Sequence, residues 1–181
     1  SSLTFLNIMN TGATDLSPLS GLAAMESLHL SNAEIADLSP LTGMSHLEEL
    51  YLTDGDLPYS KISDLSPLSG LTELETLRIP SVSEIGDLSP LSGLTALKTL
   101  AVNGISYSGI GKITSLEPLG DLKNLEVINL NVDSETGVDL TPLAGLAHLR
   151  ELTLGGAVHM DSLEVFSNMT EMEELVLHAT N

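Results

Sequence analysis

The chain has 181 residues, 37 of them leucine, with no cysteine or tryptophan, only five Phe or Tyr, and 25 acidic against 6 basic side chains, for a formal charge of −19. The missing cysteines exclude a disulfide scaffold, a thiol nucleophile and a Cys-ligated zinc site. Six scattered cations cannot replace the counterions of a nucleic acid or hold an anionic bilayer, and no apolar run reaches the ~20 residues of a membrane helix.

Read from the N-terminus, Leu6 and Ile8 stand two apart and open a pattern that returns along the whole chain. Asp15-Leu-Ser-Pro-Leu follows, then Gly21, then a ruler of leucines ending at Leu28 and Leu30. The same phrase begins again at Asp37, Asp64 and Asp87, with variants from Ser115, Asp139 and, one residue out of step, Asp161. The later rulers end at Leu50/Leu52, Leu77/Ile79, Leu100/Val102, Ile128/Leu130, Leu152/Leu154 and Leu175/Leu177. Successive registers lie 22, 22, 27, 23, 28, 24 and 23 residues apart, a period that means a solenoid.

Each coil's shape follows from side-chain periodicity. Two apolar residues two apart face one side of a strand, and the residue between them faces the other. The coil then has room for one short strand, a turn, a compact return and a second turn. Adjacent coils pair their strands in parallel, and stacking supplies the walls that a single coil lacks. In the return, the Asp carboxylate is predicted to accept the amide of the Ser two residues on. Proline sits where its missing N–H matters little. Leucines three apart, such as Leu38 and Leu41, share one face of a 3₁₀ turn. Gly21, Gly43, Gly70, Gly93 and Gly145 are expected to let the chain swing back to the sheet. The recurring Asp makes a column of like charges, which backbone hydrogen bonds and solvent must offset.

The phrases DLSPLSGLTELETLRI (64–79) and DLSPLSGLTALKTLAV (87–102) resemble the short class of bacterial leucine-rich repeats, as in the internalins, and the pattern covers essentially the whole chain. The resemblance implies an α/β fold, a right-handed leucine-rich repeat solenoid. It has eight coils, a parallel β-sheet on the concave face and short 3₁₀ turns on the convex face. Residues 1–181 are expected to form one such domain without its terminal caps, leaving edges that partners or end-to-end self-association would cover. One departure is visible. The family's turn asparagine, five residues after the second-last ruler position, is replaced by Thr11, Ala33, Gly55, Val82, Ile105, Asp133, Ala157 and Thr180. The turn amides must therefore find other acceptors.

The outward strand positions form three columns. The first is Phe5, Ser27, Glu49, Thr76, Thr99, Val127, Glu151 and Glu174; the central one is Asn7, His29, Tyr51, Arg78, Ala101, Asn129, Thr153 and Val176. The third is Met9, Ser31, Thr53, Pro80, Asn103, Asn131, Gly155 and His178. A shallow face of mixed polar side chains suits a protein ligand better than a small molecule. Tyr51 and Arg78 are residue types enriched where binding energy concentrates, and His29, Glu49 and Asn129 share their columns. Two longer coils carry insertions at 56–61 and 106–112, with Tyr59/Lys61 and Tyr107/Lys112. Insertions at one point of the repeat emerge on one edge, so Tyr59 and Tyr107 are expected to border the same surface.

Other chemistry finds little footing. Asp54 and Asp56 flank Gly55 without the remaining ligands of a calcium loop, and His46 and His148 occupy one repeat position. There is no G-x-S-x-G elbow and no glycine-rich phosphate loop. Neither a catalytic residue, a metal site nor a cofactor is expected. The reading is a non-catalytic protein-interaction module that binds a protein ligand, basic in character, with no nucleic acid and no membrane insertion. Resemblance to internalins implies an extracellular or cell-surface place. The alternative is a cytoplasmic scaffold or regulatory subunit of the phosphatase-regulator type.

Overall fold

The structure, a computed structural model, describes residues 2–8, 13–31, 35–53, 61–79, 84–102, 112–160 and 162–178. Eight strands form one parallel sheet: β1 (Phe5–Ile8), β2 (Ser27–Ser31), β3 (Glu49–Thr53), β4 (Thr76–Ile79), β5 (Thr99–Val102), β6 (Val127–Asn131), β8 (Glu151–Gly155) and β10 (Glu174–His178). They are ordered along the sheet as along the chain. Two further short strands, β7 (Val138–Asp139) and β9 (Val158–His159), pair in parallel beside the last coils.

Register follows the rulers residue for residue. Leu6, Leu28, Leu50, Leu77, Leu100, Ile128, Leu152 and Leu175 are successive partners across the sheet. From Leu28 to Leu152 every one of these is fully buried. The returns are 3₁₀ turns, among them Ser39–Leu41, Ser66–Leu68 and Ser89–Leu91, each with proline in its first turn. Leu38 and Leu41 both point into the core. No α-helix occurs among the described residues. The molecule is a leucine-rich repeat solenoid, with its sheet on one face and 3₁₀ turns on the other.

Burial fades toward both ends, because an end strand has one neighbour rather than two. Leu6 and Ile8 are half-buried, whereas Leu163 and Leu175 are 69% and 41% exposed. This gradient is the direct consequence of coils that shelter only against one another.

The Asp–Ser turn forms as its spacing predicts. Ser17, Ser39, Ser66 and Ser89 donate their amides at 2.8 Å to Asp15, Asp37, Asp64 and Asp87, and Thr141 does so at 2.9 Å to Asp139. Where serine replaces the aspartate, its hydroxyl accepts instead, as in Glu117 N to Ser115 Oγ and Glu164 N to Ser162 Oγ. The Ser66 hydroxyl and amide together hold the Asp64 carboxyl below its ordinary value. The like-charge neighbour acts the other way, as Asp64 does on Asp87, but more weakly than the hydrogen bonds.

A depressed folded-state pKa means stability that is complete above the unfolded-state value, about 4 for aspartate, and lost as pH falls through the lower folded-state value. The melting-temperature gap between the parent and Asp64→Ala is therefore expected to stay constant from pH 6 to 8 and to narrow below about pH 4. A gap that persists unchanged in stronger acid would show that the hydrogen-bonded carboxylate is not its source.

Two expectations are corrected. Of the five return glycines only Gly21 has a positive φ, of 96°, and a Cβ at Gly43, Gly70 or Gly93 would meet open space. Those three turns use ordinary backbone, so glycine is not needed there. Asn131 was expected on the open face but is 8% exposed. Its strand partner Gly155 has no Cβ, and one built there would collide with Asn131 Oδ1. The glycine leaves the space over its own strand that the Asn131 amide fills.

The missing asparagine is answered at the two turns that are described. Asp133 N donates to Ile113 O at 2.8 Å and Ala157 N to Asp133 O at 3.3 Å, so backbone carbonyls of neighbouring segments take these amides. The Asp133 carboxylate then accepts Glu135 N and Thr136 N at 2.9 and 2.6 Å. Thr11, Ala33, Gly55, Val82, Ile105 and Thr180 lie outside the described residues.

Candidate functional site

The open face of the sheet is built from the residues that alternate with the buried ruler. Parallel register brings Asn7, His29, Tyr51, Arg78, Ala101, Asn129, Thr153 and Val176 into one line across the strands. Tyr51 and His29 are half-exposed and Arg78 is exposed. Neither Tyr51 nor Arg78 is sealed in the core, which the solenoid reading required.

Three rings and a guanidinium form a continuous series over the first four coils. Phe5 meets His29 edge-on, with centroids 5.6 Å apart and planes at 63°. His29 lies 4.3 Å from Tyr51 at 51°, and Arg78 Cζ stands 6.0 Å from the Tyr51 centroid. Ring contacts of this kind favour edge and tilted geometries, and a guanidinium near the tyrosine face is attracted by its quadrupole. Phe5 stays 55% exposed, a large apolar ring presented to solvent at the end of the series.

Beside the rings runs a polar chain. Ser27 Oγ donates to Glu49 Oε2 at 2.7 Å and lies 3.1 Å from His29 Nε2, which is 3.6 Å from the same carboxylate oxygen. Serine, histidine and glutamate are thus together, yet not as a catalytic triad. Ser27 gives its one proton to Glu49, so His29 Nε2 is the donor toward Ser27 and cannot serve as the base. A triad needs the carboxylate on the other ring nitrogen. Here both partners sit at Nε2, and the arrangement orients the imidazole between its rings.

Where the strands begin, the flank is ionic. Lys98 Nζ meets Glu75 at 2.7 Å, Arg150 reaches Glu173 at 2.6 Å, and His46 and His148 contact Glu73 and Glu171 at 3.0 Å. All of these are exposed, and such pairs contribute little to stability. Glu26 and Glu48 occupy the same flank beside the aromatic series, each immediately preceding the first residue of β2 or β3. On the opposite side of the molecule a cleft of about 470 Å³ is lined by Asp139, Thr141, His159 and Met160. His159 Nε2 there is 2.6 Å from Thr136 O, and Asp139 is occupied by Thr141.

Among the described residues no three His, Asp or Glu side chains are placed to hold a metal ion, and no helix is long and apolar enough to cross a membrane. Asp54 and Asp56 lie outside them.

Of the sequence-predicted residues, the structure brings Tyr51, Arg78, His29 and Glu49 into one cluster. Asn129 shares their line but stands beyond Ala101, away from it. Tyr59 and Tyr107 lie outside the described residues. Phe5 and Ser27 join the cluster although sequence reasoning singled out neither. Their signal was the position two residues before His29 and its equivalent one coil earlier, which puts both on the same face.

No family model matches the sequence, and no curated protein matches it. Two solved structures from Listeria monocytogenes strain 4b F2365 are similar. Internalin InlF matches with a TM-score of 0.74 and 30% identity, over 96% of this chain and 46% of that one. Internalin C2 matches with a TM-score of 0.74 and 26% identity, over 95% of this chain and 70% of that one. The chain thus spans less than half the length of the first of these structures. It is a leucine-rich repeat solenoid of the short, internalin-like class.

Proposed function

We infer that this solenoid is a non-catalytic protein-interaction module that receives a protein ligand on the open face of its sheet. Residues 1–181 act as one domain, outside the cell or at its surface, and the ligand is basic. The observation that carries the reading is the series Phe5, His29, Tyr51 and Arg78, left uncovered by any other described element. Aromatic and arginine side chains dominate protein-binding energy, and a shallow face with no enclosed, convergent polar groups offers no pocket for a small substrate. The internalin-like fold supports an interaction role in general. A formal charge of −19 supports a basic partner, whose association would accelerate at low salt. Tyr59 and Tyr107, in the two insertions, are proposed as further ligand contacts.

The test is retention of a partner from a preparation of surface proteins on the immobilised chain. The parent is compared with a Phe5→Ala/Tyr51→Ala/Arg78→Ala variant and with a Ser69→Ala/Ser92→Ala control altered on the 3₁₀ face. Truncating residues at an energetic centre typically lowers binding by about 2 kcal/mol or more, so the triple variant is expected to lose the partner while the control keeps it. Circular dichroism verifies that all three proteins stay folded. Equal retention by parent and triple variant would remove the open face as the binding surface.

A further inference from the structure

Three described cations are matched to carboxylates on neighbouring coils: Lys98 to Glu75, Lys112 to Glu84 and Arg150 to Glu173. Arg78 is not. Its guanidinium makes no hydrogen bond or ion pair with any described residue, and its one contact is the Tyr51 ring, 6.0 Å away. A chain with 25 acidic side chains thus leaves this cation open, exposed on β4. The carboxylate on the same face of the neighbouring strand, Glu49, stands beside Thr76 and is taken by Ser27.

A second polar group is open in the same way. Asn129 is half-buried on β6, and its side-chain amide has no hydrogen-bond partner among the described residues. Polar groups withdrawn from water are normally hydrogen-bonded. Register puts Ala101 directly between Arg78 and Asn129. Ala101 carries the smallest side chain of the central line, so a gap floored by one methyl group separates the two. Their backbones are two strand spacings apart, ~9.6 Å, which admits a carboxylate with a donor about 2.9 Å away on either side.

The chemistry of the gap selects its occupant. A guanidinium's planar fork of N–H donors matches the two oxygens of a carboxylate. A phosphate dianion fits the same fork but carries twice the charge into the field of a molecule at −19, which repels it more strongly. The singly charged carboxylate is the anion that this surface favours.

We propose that the gap over Ala101 receives an acidic side chain, Asp or Glu, of the protein ligand, held by the Arg78 guanidinium and the Asn129 amide. The proposal rests on the protein-binding reading above and adds a specificity-determining contact to it. Two electrostatic roles are then separate. Net charge draws a basic partner from a distance. Arg78 is the only Lys or Arg in the three outward columns, so one acid in that partner finds its cation at a single coil, which fixes the register of the ligand along the solenoid.

The chain contains two arginines, Arg78 and Arg150, so their side-chain Nε–H signals are read separately by NMR. Arg150 is the internal control, because its Nε and Nη2 already bond Glu173 at 3.0 and 2.6 Å. N-acetylglutamate methylamide, titrated at constant ionic strength, is expected to shift the Arg78 and Asn129 side-chain signals saturably. The apparent affinity should be at least about tenfold above that read at Arg150. N-acetylglutamine methylamide should leave both signals unmoved. Ala101→Leu, which fills the gap, should abolish the response, and in Arg78→Lys the Asn129 signal should stay still because an ammonium lacks the fork. Equal shifts at the two arginines, a response to the glutamine compound, a stronger response to methyl phosphate, or an Asn129 signal that still moves in Ala101→Leu overturns the proposal. An open-face partner in the retention experiment with no carboxylate response would remove the gap as a subsite and leave the protein-binding reading standing. A carboxylate response with no retained partner would do the reverse.

Discussion

Gly156→Ala is expected to be among the most destabilising single substitutions in the chain, and alanine adds only one methyl group. Gly156 has a φ of 110°, a conformation that a side chain makes unfavourable by about 1–3 kcal/mol. A Cβ there would overlap the Val132 carbonyl oxygen and stand 3.0 Å from both the Val132 carbonyl carbon and Cγ2. Backbone oxygen cannot swing aside as a flexible side chain can. The two segments are tied together here: Val132 N donates to Gly155 O at 2.7 Å, and Gly156 N to His178 O at 3.1 Å. Adding the overpacking term of about 1–3 kcal/mol brings the loss to about 2–6 kcal/mol. At roughly 2–4 °C per kcal/mol for a domain of this size, thermal melting will register it clearly. Hydrogen exchange is expected to accelerate first in 162–178, because the strained bond ties the last coil to the stack. Gly70→Ala is the matched control, with ordinary backbone and open space around its Cβ. It is expected to be neutral or stabilising by about 0.4–1 kcal/mol. If the two variants melt together, the turn at Gly156 does not approach Val132 as described.

The second large effect is positional. Leu77 is fully buried and lies between Leu50 and Leu100 on the flanking strands. Leu77→Ala removes packing on both sides at once, and a buried leucine truncated to alanine typically loses about 2–5 kcal/mol. Leu175 occupies the same repeat position on β10 but, among the described residues, has a strand partner only in Leu152 and is 41% exposed. Leu175→Ala is expected to lose less than half as much. Urea unfolding midpoints of the two variants make the comparison, since stability in a stack is a sum over neighbouring coils. Equal losses at the two positions would mean that the leucines belong to one shared core, and the coil-by-coil account would fail.

The proposed binding surface is expected to respond to different changes. Tyr51 and Arg78 lie on a face where truncation removes little buried area, so their substitutions should separate affinity from stability. Gly156 and Leu77 do the reverse. The contrast follows from strand alternation: at each ruler one residue faces the neighbouring leucines and the next faces out.

Much of the fold was legible because it depends on spacings within one coil. Leu28 and Leu30 are two apart, Leu38 and Leu41 three apart, and Ser39 follows Asp37 by two. Strand face, 3₁₀ face and turn hydrogen bond are local consequences of those intervals, so eight registers and the buried ruler could be read without any contact being known. The candidate site was legible only in part. Tyr51, Arg78, His29 and Glu49 could be put in columns, but columns do not say which side chains touch. Asn129 shares a column with Tyr51 and takes no part in the cluster, whereas Phe5, from the adjoining column, closes it.

The amino-acid sequence by itself therefore determined the number of coils, their register, the inward residues and the Asp–Ser turns, since each follows from an interval of two or three residues. Only the tertiary structure decided that Phe5, His29, Tyr51 and Arg78 form one series, that Ser27 bridges toward Glu49, and that Asn131 packs over Gly155. Those contacts join residues on neighbouring coils, 22 or more positions apart along the chain. Whether side chains on adjacent strands lean together or apart is set by packing in three dimensions, and no period along the chain encodes it.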